Sequence, residues 1–394
     1  MDVKFYSAID EIGQSVWNTV CGIDYPFIRY EFLHALETAG QEDGEHGAAC
    51  TRKSGWQPHH AVIYDSGTAI AVAPFYLKYH SYGEYIFDWA WADAYHRNGL
   101  NYYPKLLGAI PYSPVTGTRV AILEQRSDDA AAIYQALASA CKQQCTELGL
   151  SSCHILFSDK AVSDQLQAHQ LMQRHSHQYH WFNRDKHGEA YGRFGDFLAE
   201  FKSRKRKDLN KERRQVAEQG VELVRLVGTD IDKRLWDRFY DFYQLTYAKR
   251  SGHGGYLPKA FFQRIAQTMP EQLLLVLAIQ DDNAIAGALN LFSSTTLFGR
   301  YWGCVKEAEF LHFEACYYQG IEFCIERGLE KFDAGAQGEH KVQRGFRPMA
   351  TWSNHWIGHE RFAEAVGDFI DREAEQVKGN IEATEGWLPF RFDG

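Results

Sequence analysis

Asp281-Asp282-Asn283-Ala284-Ile285-Ala286-Gly287-Ala288 reads as a tight polar turn running into an apolar strand. The same pattern stands far upstream, at Asp65-Ser66-Gly67-Thr68-Ala69-Ile70-Ala71-Val72-Ala73. A second strand ending in aromatic residues follows each copy, Tyr85 to Trp91 and Phe298 to Trp302. A helix with a tyrosine pair is expected next. Tyr102-Tyr103 begins 33 residues after Ala69, and Tyr317-Tyr318 begins 33 residues after Ala284. Order and spacing agree, so the chain reads as a duplicated α/β unit.

Working outward, the first half predicts a helix over Phe27 to Thr38, with Phe32, Leu33 and Leu36 inward and Glu31 and Glu37 outward. Strands at 60–64 and 69–77, a helix over 130–148 and strands at 153–157 and 177–183 complete it. The second half opens with a helix at 194–201 and a basic helix. A helix over 231–249 follows, then an antiparallel meander of strands at 273–279, 284–292 and 297–302. The helix from Phe313 to Arg327 is predicted to end at Gly328, a residue suited to a left-handed cap. Short strands at 331–333 and 351–357 precede a closing helix over 362–378. Domains of 1–185 and 186–394 are expected.

The chain has 394 residues, of which 45% are hydrophobic and 14% aromatic, enough for two cores. The longest apolar run, Leu273 to Ile279, has the length of a buried strand and not of a membrane span. The first residues show no secretion signal. Eight cysteines at scattered spacing, with no C-x-x-C, suit reduced thiols in a cytoplasmic protein.

Charge is distributed unevenly. Lys202 to Arg214 holds eight basic and two acidic side chains in a chain whose net charge is −9. Such a cationic run on an acidic protein marks a docking place for an anion. Arg204, Lys205, Arg206, Lys207, Lys211, Arg213 and Arg214 are therefore candidate binding residues. The aromatic blocks add Tyr103, Lys105, Arg300 and Trp302 as further candidate binding residues.

The segment Asp333 to Phe346 packs Gln337, Glu339, His340, Lys341 and Arg344 between glycines. Such a density of ionisable groups with backbone freedom suits a reactive loop. His312 and Glu314 open the long helix and join the binding set, where Glu314 equally suits the helix dipole. In Asp88-Trp89-Ala90-Trp91-Ala92-Asp93, strand alternation would put Trp89, Trp91 and Asp93 on one face, a wall that could stack a flat or sugar-like ligand. His175-x-His177-x-x-His180 has zinc-like spacing, but no cysteine or acid stands at a fitting offset, and no metal is expected. No G-x-S-x-G, P-loop or G-x-G-x-x-G is present, so hydrolase, kinase and dinucleotide chemistries have no local support.

Ser203 to Lys211, followed by Gly220-Val221-Glu222, resembles the helix-to-strand segment that starts the second domain of Fem-type aminoacyl transferases. Gly338-Glu339-His340-Lys341 to Gly345-Phe346 resembles their G-x-Y-K-x-x-F segment. Tyr82 to Tyr95, Tyr103-Pro104-Lys105-Leu106-Leu107, Pro114-Val115-Thr116-Gly117 and Gly335 to Lys341 are similar to the FemAB-like family of bacterial proteins, grouped with the GNAT-fold acyltransferases. The resemblance runs from about Pro26 to Phe369. It implies two tandem GNAT-like domains with mixed, mostly antiparallel sheets, a tail from about residue 360 packing back on the first domain, and transfer of an activated acyl group to an amine.

By position in the family pattern, Lys341 is implied to stabilise charge at the reacting carbonyl. His340 stands where the pattern has tyrosine. His340, Glu339 or Asp93 could take the amine proton, and no serine or cysteine stands beside a convincing base. The GNAT pyrophosphate signature is missing from Lys306-Glu307-Ala308-Glu309-Phe310-Leu311-His312, which favours an aminoacyl-tRNA donor over acyl-CoA. No cofactor is implied beyond that donor. The acceptor is an amine, on a peptidoglycan precursor, a peptide or a small metabolite, and peripheral membrane contact is compatible with the basic run. An acyl-CoA-dependent N-acyltransferase and a non-catalytic binder of tRNA or cell-wall precursor remain as alternatives.

Overall fold

The structure is a computed structural model that describes residues 1–40, 47–252, 254–336 and 338–391. The chain divides into two compact units. The first comprises Met1–His177 and Ala350–Asn380, the second Gln178–Met349 and Ile381–Gly394.

In the first unit, Asp2–Tyr6, His60–Asp65, Thr68–Ala73 and Ala121–Ile122 form an antiparallel sheet in that order. Further strands lie in the order Trp56–Pro58, Phe75–Lys78, Lys105–Gly108, Ser152–Ser158 and Trp352–Ile357. One junction is parallel: Leu106–Gly108 pairs with Cys153–Ile155. The helix Ala130–Glu147 makes the crossover that a parallel pair requires. It buries Ile133, Leu137, Cys141 and Cys145, spaced by four, against Ile63, Phe75, Leu106 and Ile155.

In the second unit, Glu222–Val227, Leu273–Gln280, Asn283–Phe292 and Thr296–Cys304 form an antiparallel meander. Thr296–Phe298 then pairs in parallel with Lys331–Asp333, which pairs antiparallel with His180–Phe182. The crossover here is the helix from Leu311 to Arg327, widened to a π-turn over Glu314–Tyr318. It ends at Gly328 with φ of 68°. Each unit thus carries one strand–helix–strand crossover with a three-residue parallel pairing, in a mixed, mostly antiparallel setting. The helix Lys233–Ser251 crosses the strand Thr296–Cys304 so closely that a Cβ at Gly303 would lie 2.0 Å from the Phe242 carbonyl oxygen.

Several local expectations are corrected. Trp89–Arg97 is a helix and not the end of a strand. The alternation Trp-Ala-Trp-Ala mimics a two-residue period. Alanine, however, is the best helix former, and the four-residue spacing of Trp91 and Tyr95 puts both rings inside. Tyr102-Tyr103 lies in the connection before Lys105–Gly108 and not on a helix, so the equal spacing of the tyrosine pairs does not mark the repeat. The crossovers do.

Glu31 and Glu37 are buried. Glu31 accepts from Arg29, Gln14 and Asn18. Glu37 meets His60 at 2.6 Å and accepts from the Ile9 N–H. The helix Lys259–Thr268, which buries Phe261, Phe262 and Ile265, was not anticipated.

Candidate active site

The parallel pairing in the second unit stops at Phe298 and Asp333, while the first strand runs on to Cys304. Arg300 sits where the two strands part. It donates to the Gly299 carbonyl at 2.8 Å and to the Asp333 carboxylate at 3.2 and 2.7 Å. Burial would raise the Asp333 carboxyl, but Arg300 and then His180 reverse this and hold it well below the carboxylate range.

Asp333 in turn accepts the Gly335 N–H at 3.0 Å, in a turn where Gly335 has φ of 87°. The Gly335 carbonyl receives the Lys341 ammonium at 2.6 Å. Lys341 is a buried residue of the short 3-10 turn Glu339–Arg344, not an exposed loop lysine. Burial lowers its pKa to about 8, against the pull of Asp333.

His340 lies at the rim, with Nε2 2.8 Å from the Tyr317 hydroxyl. Partial burial, then the Arg344 and Lys341 cations, hold its imidazole below the usual range, so it is neutral at pH 7. Glu339 beside it is exposed. The His312 ring packs 5.4 Å from both Trp302 and Tyr317, and 6.1 Å from His340. A cavity of about 360 Å³ opens along this wall, lined by Trp302, Cys304, Leu311 and His312 with Thr246, Lys249 and Lys306. The structure therefore brings together Arg300, Trp302, His312, His340 and Lys341. Gln337 lies outside the described residues.

The basic helix, Ser203–Glu218, turns Leu209, Glu212, Arg213 and Val216 inward. Arg213 donates to Glu314 at 3.0 and 2.9 Å and to Glu322 at 2.6 Å. Arg344 donates to Glu212 at 2.7 Å and stacks over Phe313. Arg213, Glu314 and Arg344 thus serve the packing of this unit. Replacing Arg213 by alanine is expected to lower stability by about 2 kcal/mol, because Glu314 would stay buried without its cation. Chemical denaturation measures this, and an unchanged midpoint would leave Arg213 available to a ligand.

Arg214 pairs with Glu218 at 3.3 Å. Arg204, Lys205, Arg206, Lys207 and Lys211 have no ion pair among the described residues. Of these, Arg204, Lys207 and Lys211 share one exposed face.

The remaining candidates lie in the first unit. Trp91 is buried with Tyr95, Tyr102, Ile357 and Ile370, and Asp93 is exposed and paired with Arg97 at 2.8 Å. Trp89 is exposed. Tyr103 reaches Ser81 at 2.8 Å. Lys105 is fully buried, donating to Glu84 at 2.8 Å, to Ser81 at 2.9 Å and to Asp88. Tyr102 joins Asp88 at 2.6 Å to His154 at 3.1 Å, and His154 meets His355 at 2.8 Å. Sequence reasoning missed Lys78, Glu84, His154 and His355. They come from different strands and loops, and no spacing in the chain announces the cluster.

Among the described residues, no group of histidine, cysteine or acidic side chains could hold a metal ion, and no helix is long and apolar enough to cross a membrane.

Solved structures share the fold. A protein assigned as the C-terminal domain of a lysylphosphatidylglycerol synthetase from Agrobacterium fabrum has a TM-score of 0.56 at 9% identity, covering 91% of this chain and 96% of that one. FemX has a TM-score of 0.53 at 12% identity, covering 93% of this chain and 100% of its own. No curated protein matches the chain. The FemAB-like family, described as one of peptidoglycan biosynthesis and recognition, matches residues 8–392, and the chain belongs to that family.

Proposed function

We propose that the chain is an acyltransferase that joins an activated aminoacyl group to an amine, drawing the group from aminoacyl-tRNA. The observation that carries this reading is the adjacency of Lys341, a buried amine with a pKa of about 8, and His340, an imidazole held neutral. In the reaction an amine nitrogen attacks an ester carbonyl. The N–C bond forms, a proton passes from the amine to His340, and the Lys341 ammonium faces the tetrahedral oxyanion. Collapse breaks the C–O bond to the tRNA ribose, and His340 returns the proton to the leaving oxygen.

The acidity of the two groups makes a pH test. Lys341 acts as a cation, so kcat/KM should hold below pH 8 and fall tenfold per pH unit above it. His340 acts as a base, so the rate should rise as the imidazole loses its proton below its ordinary value of 6.5. A rate that rises through pH 8 would instead make Lys341 the base.

Five unpaired cations on one helix support a polyanionic donor. The start of the long helix argues against a CoA pyrophosphate. Its Leu311, Phe313 and Glu314 N–H groups are already bonded to the Ala308 and Phe310 carbonyls. The synthetase that shares the fold is named for a product carrying a lysyl group. A second reading, acyl-CoA as donor, draws on the cavity beside Trp302 and His312, which lies next to that helix start. The deciding experiment is amide formation from cell extract and candidate amines, with and without ribonuclease. Loss of product on ribonuclease treatment, restored by charged tRNA, supports the first reading. Product that survives and tracks added acyl-CoA supports the second, and no turnover with either leaves a binding protein.

A further inference from the structure

The second unit holds a further cavity, of about 380 Å³. It shares no residue with the reactive turn or with the cavity beside Trp302. Leu388 and Phe390 give it an apolar wall, and Lys186, Arg347 and Arg391 give it three cations. Glu200 is the one acid among the described residues that line it.

The wall is built by the end of the chain, and that end is tied down. The Lys202 N–H donates to the Pro389 carbonyl at 2.8 Å, and the Arg391 N–H to the Glu200 carbonyl at 2.9 Å. The Gln343 side-chain amide donates to the Trp387 carbonyl at 2.8 Å. Leu388 belongs to the core of the unit. The Phe390 ring meets Phe201 edge-on at 5.3 Å and Phe197 at 6.3 Å. The apolar surface is therefore in place before a ligand arrives. A site that needs no ordering loses less free energy on binding.

The cations are positioned but not neutralised. Arg391 Nε donates to the Phe201 carbonyl at 3.1 Å, and its two terminal nitrogens have no partner among the described residues. The Arg347 guanidinium lies 5.1 Å from the centre of the Phe390 ring and pairs with no acid among the described residues. Glu200 is engaged elsewhere. One of its oxygens accepts the Lys186 N–H at 2.9 Å, and the other accepts the Tyr191 hydroxyl at 2.6 Å. Both are uncharged donors, so the excess positive charge of the cavity stands. Guanidinium groups present paired N–H donors that match the oxygens of a carboxylate or a phosphate.

Charge and surface together select the ligand. An uncharged hydrocarbon would cover the wall and leave the guanidinium groups unused. A bare anion would meet the guanidinium groups and leave the wall wet. An anionic head on an apolar body uses both. At about 30 Å³ per heavy atom, the share of one water in the liquid, the volume admits roughly a dozen heavy atoms, the size of a medium-chain acid.

We propose that this cavity binds an amphipathic anion, with a carboxylate or phosphate head against Arg347 and Arg391 and a medium-length apolar body on Leu388 and Phe390.

The test is isothermal titration of the full chain with decanoate and decyl phosphate, which share the body and differ in the head. At least one should bind saturably. Acetate, inorganic phosphate and decanol each lack one half and should bind about tenfold more weakly or worse. Arg347→Gln and Arg391→Gln should each weaken binding about tenfold, the scale of a lost hydrogen bond to a charged group. Arg327→Gln, which changes an exposed arginine elsewhere in the unit, should leave it unchanged. Both cavity arginines are exposed, so thermal melts should show every variant folded. The proposal is overturned if neither amphiphile binds, if decanol binds as tightly, or if the affinity survives both substitutions. Binding to phosphatidylglycerol vesicles that needs both arginines, without binding of either single amphiphile, also overturns it and makes this face a membrane contact. None of these readouts depends on acyl transfer, so the two readings stand or fall apart.

Discussion

Lys341→Met is expected to lower turnover about 100-fold or more while the chain stays folded, the scale on which removal of an oxyanion stabiliser acts. The sequence placed Lys341 in a glycine-rich reactive loop, where a side chain contributes little to packing. The structure changes that expectation. Lys341 is buried and donates to the Gly335 carbonyl at 2.6 Å. Alanine would leave a void and an unpaired carbonyl, together worth about 1–3 kcal/mol, and a lost rate could then reflect a disturbed turn. Methionine keeps most of the stem against the Tyr317 ring and removes only the charge. With the methionine variant, kcat should fall while KM for the donor stays, the mark of an interaction made in the transition state. The alkaline limb near pH 8 should vanish with the side chain that causes it. An unchanged single-turnover rate would remove Lys341 from the chemistry. His340→Ala should cost less, because water can take the amine proton more slowly.

The parts of the fold legible in the sequence were those set by local rules. The meander is written in apolar runs separated by Asp281-Asp282-Asn283 and Ser293-Ser294, and the end of the long helix is written in Gly328. The failures share a cause. At Trp89–Arg97 two periods fitted the same letters, and only the packing of Trp91 and Tyr95 chose between them. Glu31 and Glu37 looked like outward carboxylates because their partners, Arg29 apart, lie on other elements. The helix Lys259–Thr268 did carry a signal, Phe261 and Ile265 four apart, that was open to reading.

For the candidate site, the adjacency of His340 and Lys341 is local and was visible. The joining of His340 to Tyr317, and of Arg344 to Glu212, spans 23 and 132 residues, and no pattern along the chain reports such pairs. The same limit applies to the basic run. Its total charge could be counted, but which cations were already committed could not.

That commitment sharpens the test of the donor. Replacing Arg204, Lys207 and Lys211 together by alanine is expected to weaken tRNA binding about 100-fold at low salt and to reduce its salt slope by about three, near one per lost phosphate contact. These three side chains share the exposed face of the helix and pair with no acid among the described residues, so their loss costs the fold little. Arg214→Ala should do far less, since Glu218 already takes its charge. Arg213 must stay out of the set, because its loss would strand Glu314 and confuse unfolding with lost affinity. A CoA donor predicts a different result. A compact pyrophosphate reaches one or two cations, so the triple variant would bind acyl-CoA nearly as well as the parent, with a shallow salt slope. Binding of tRNA that keeps its affinity and its slope in the triple variant would show that this helix does not face the donor, and the excess positive charge of residues 202–214 would then need another partner.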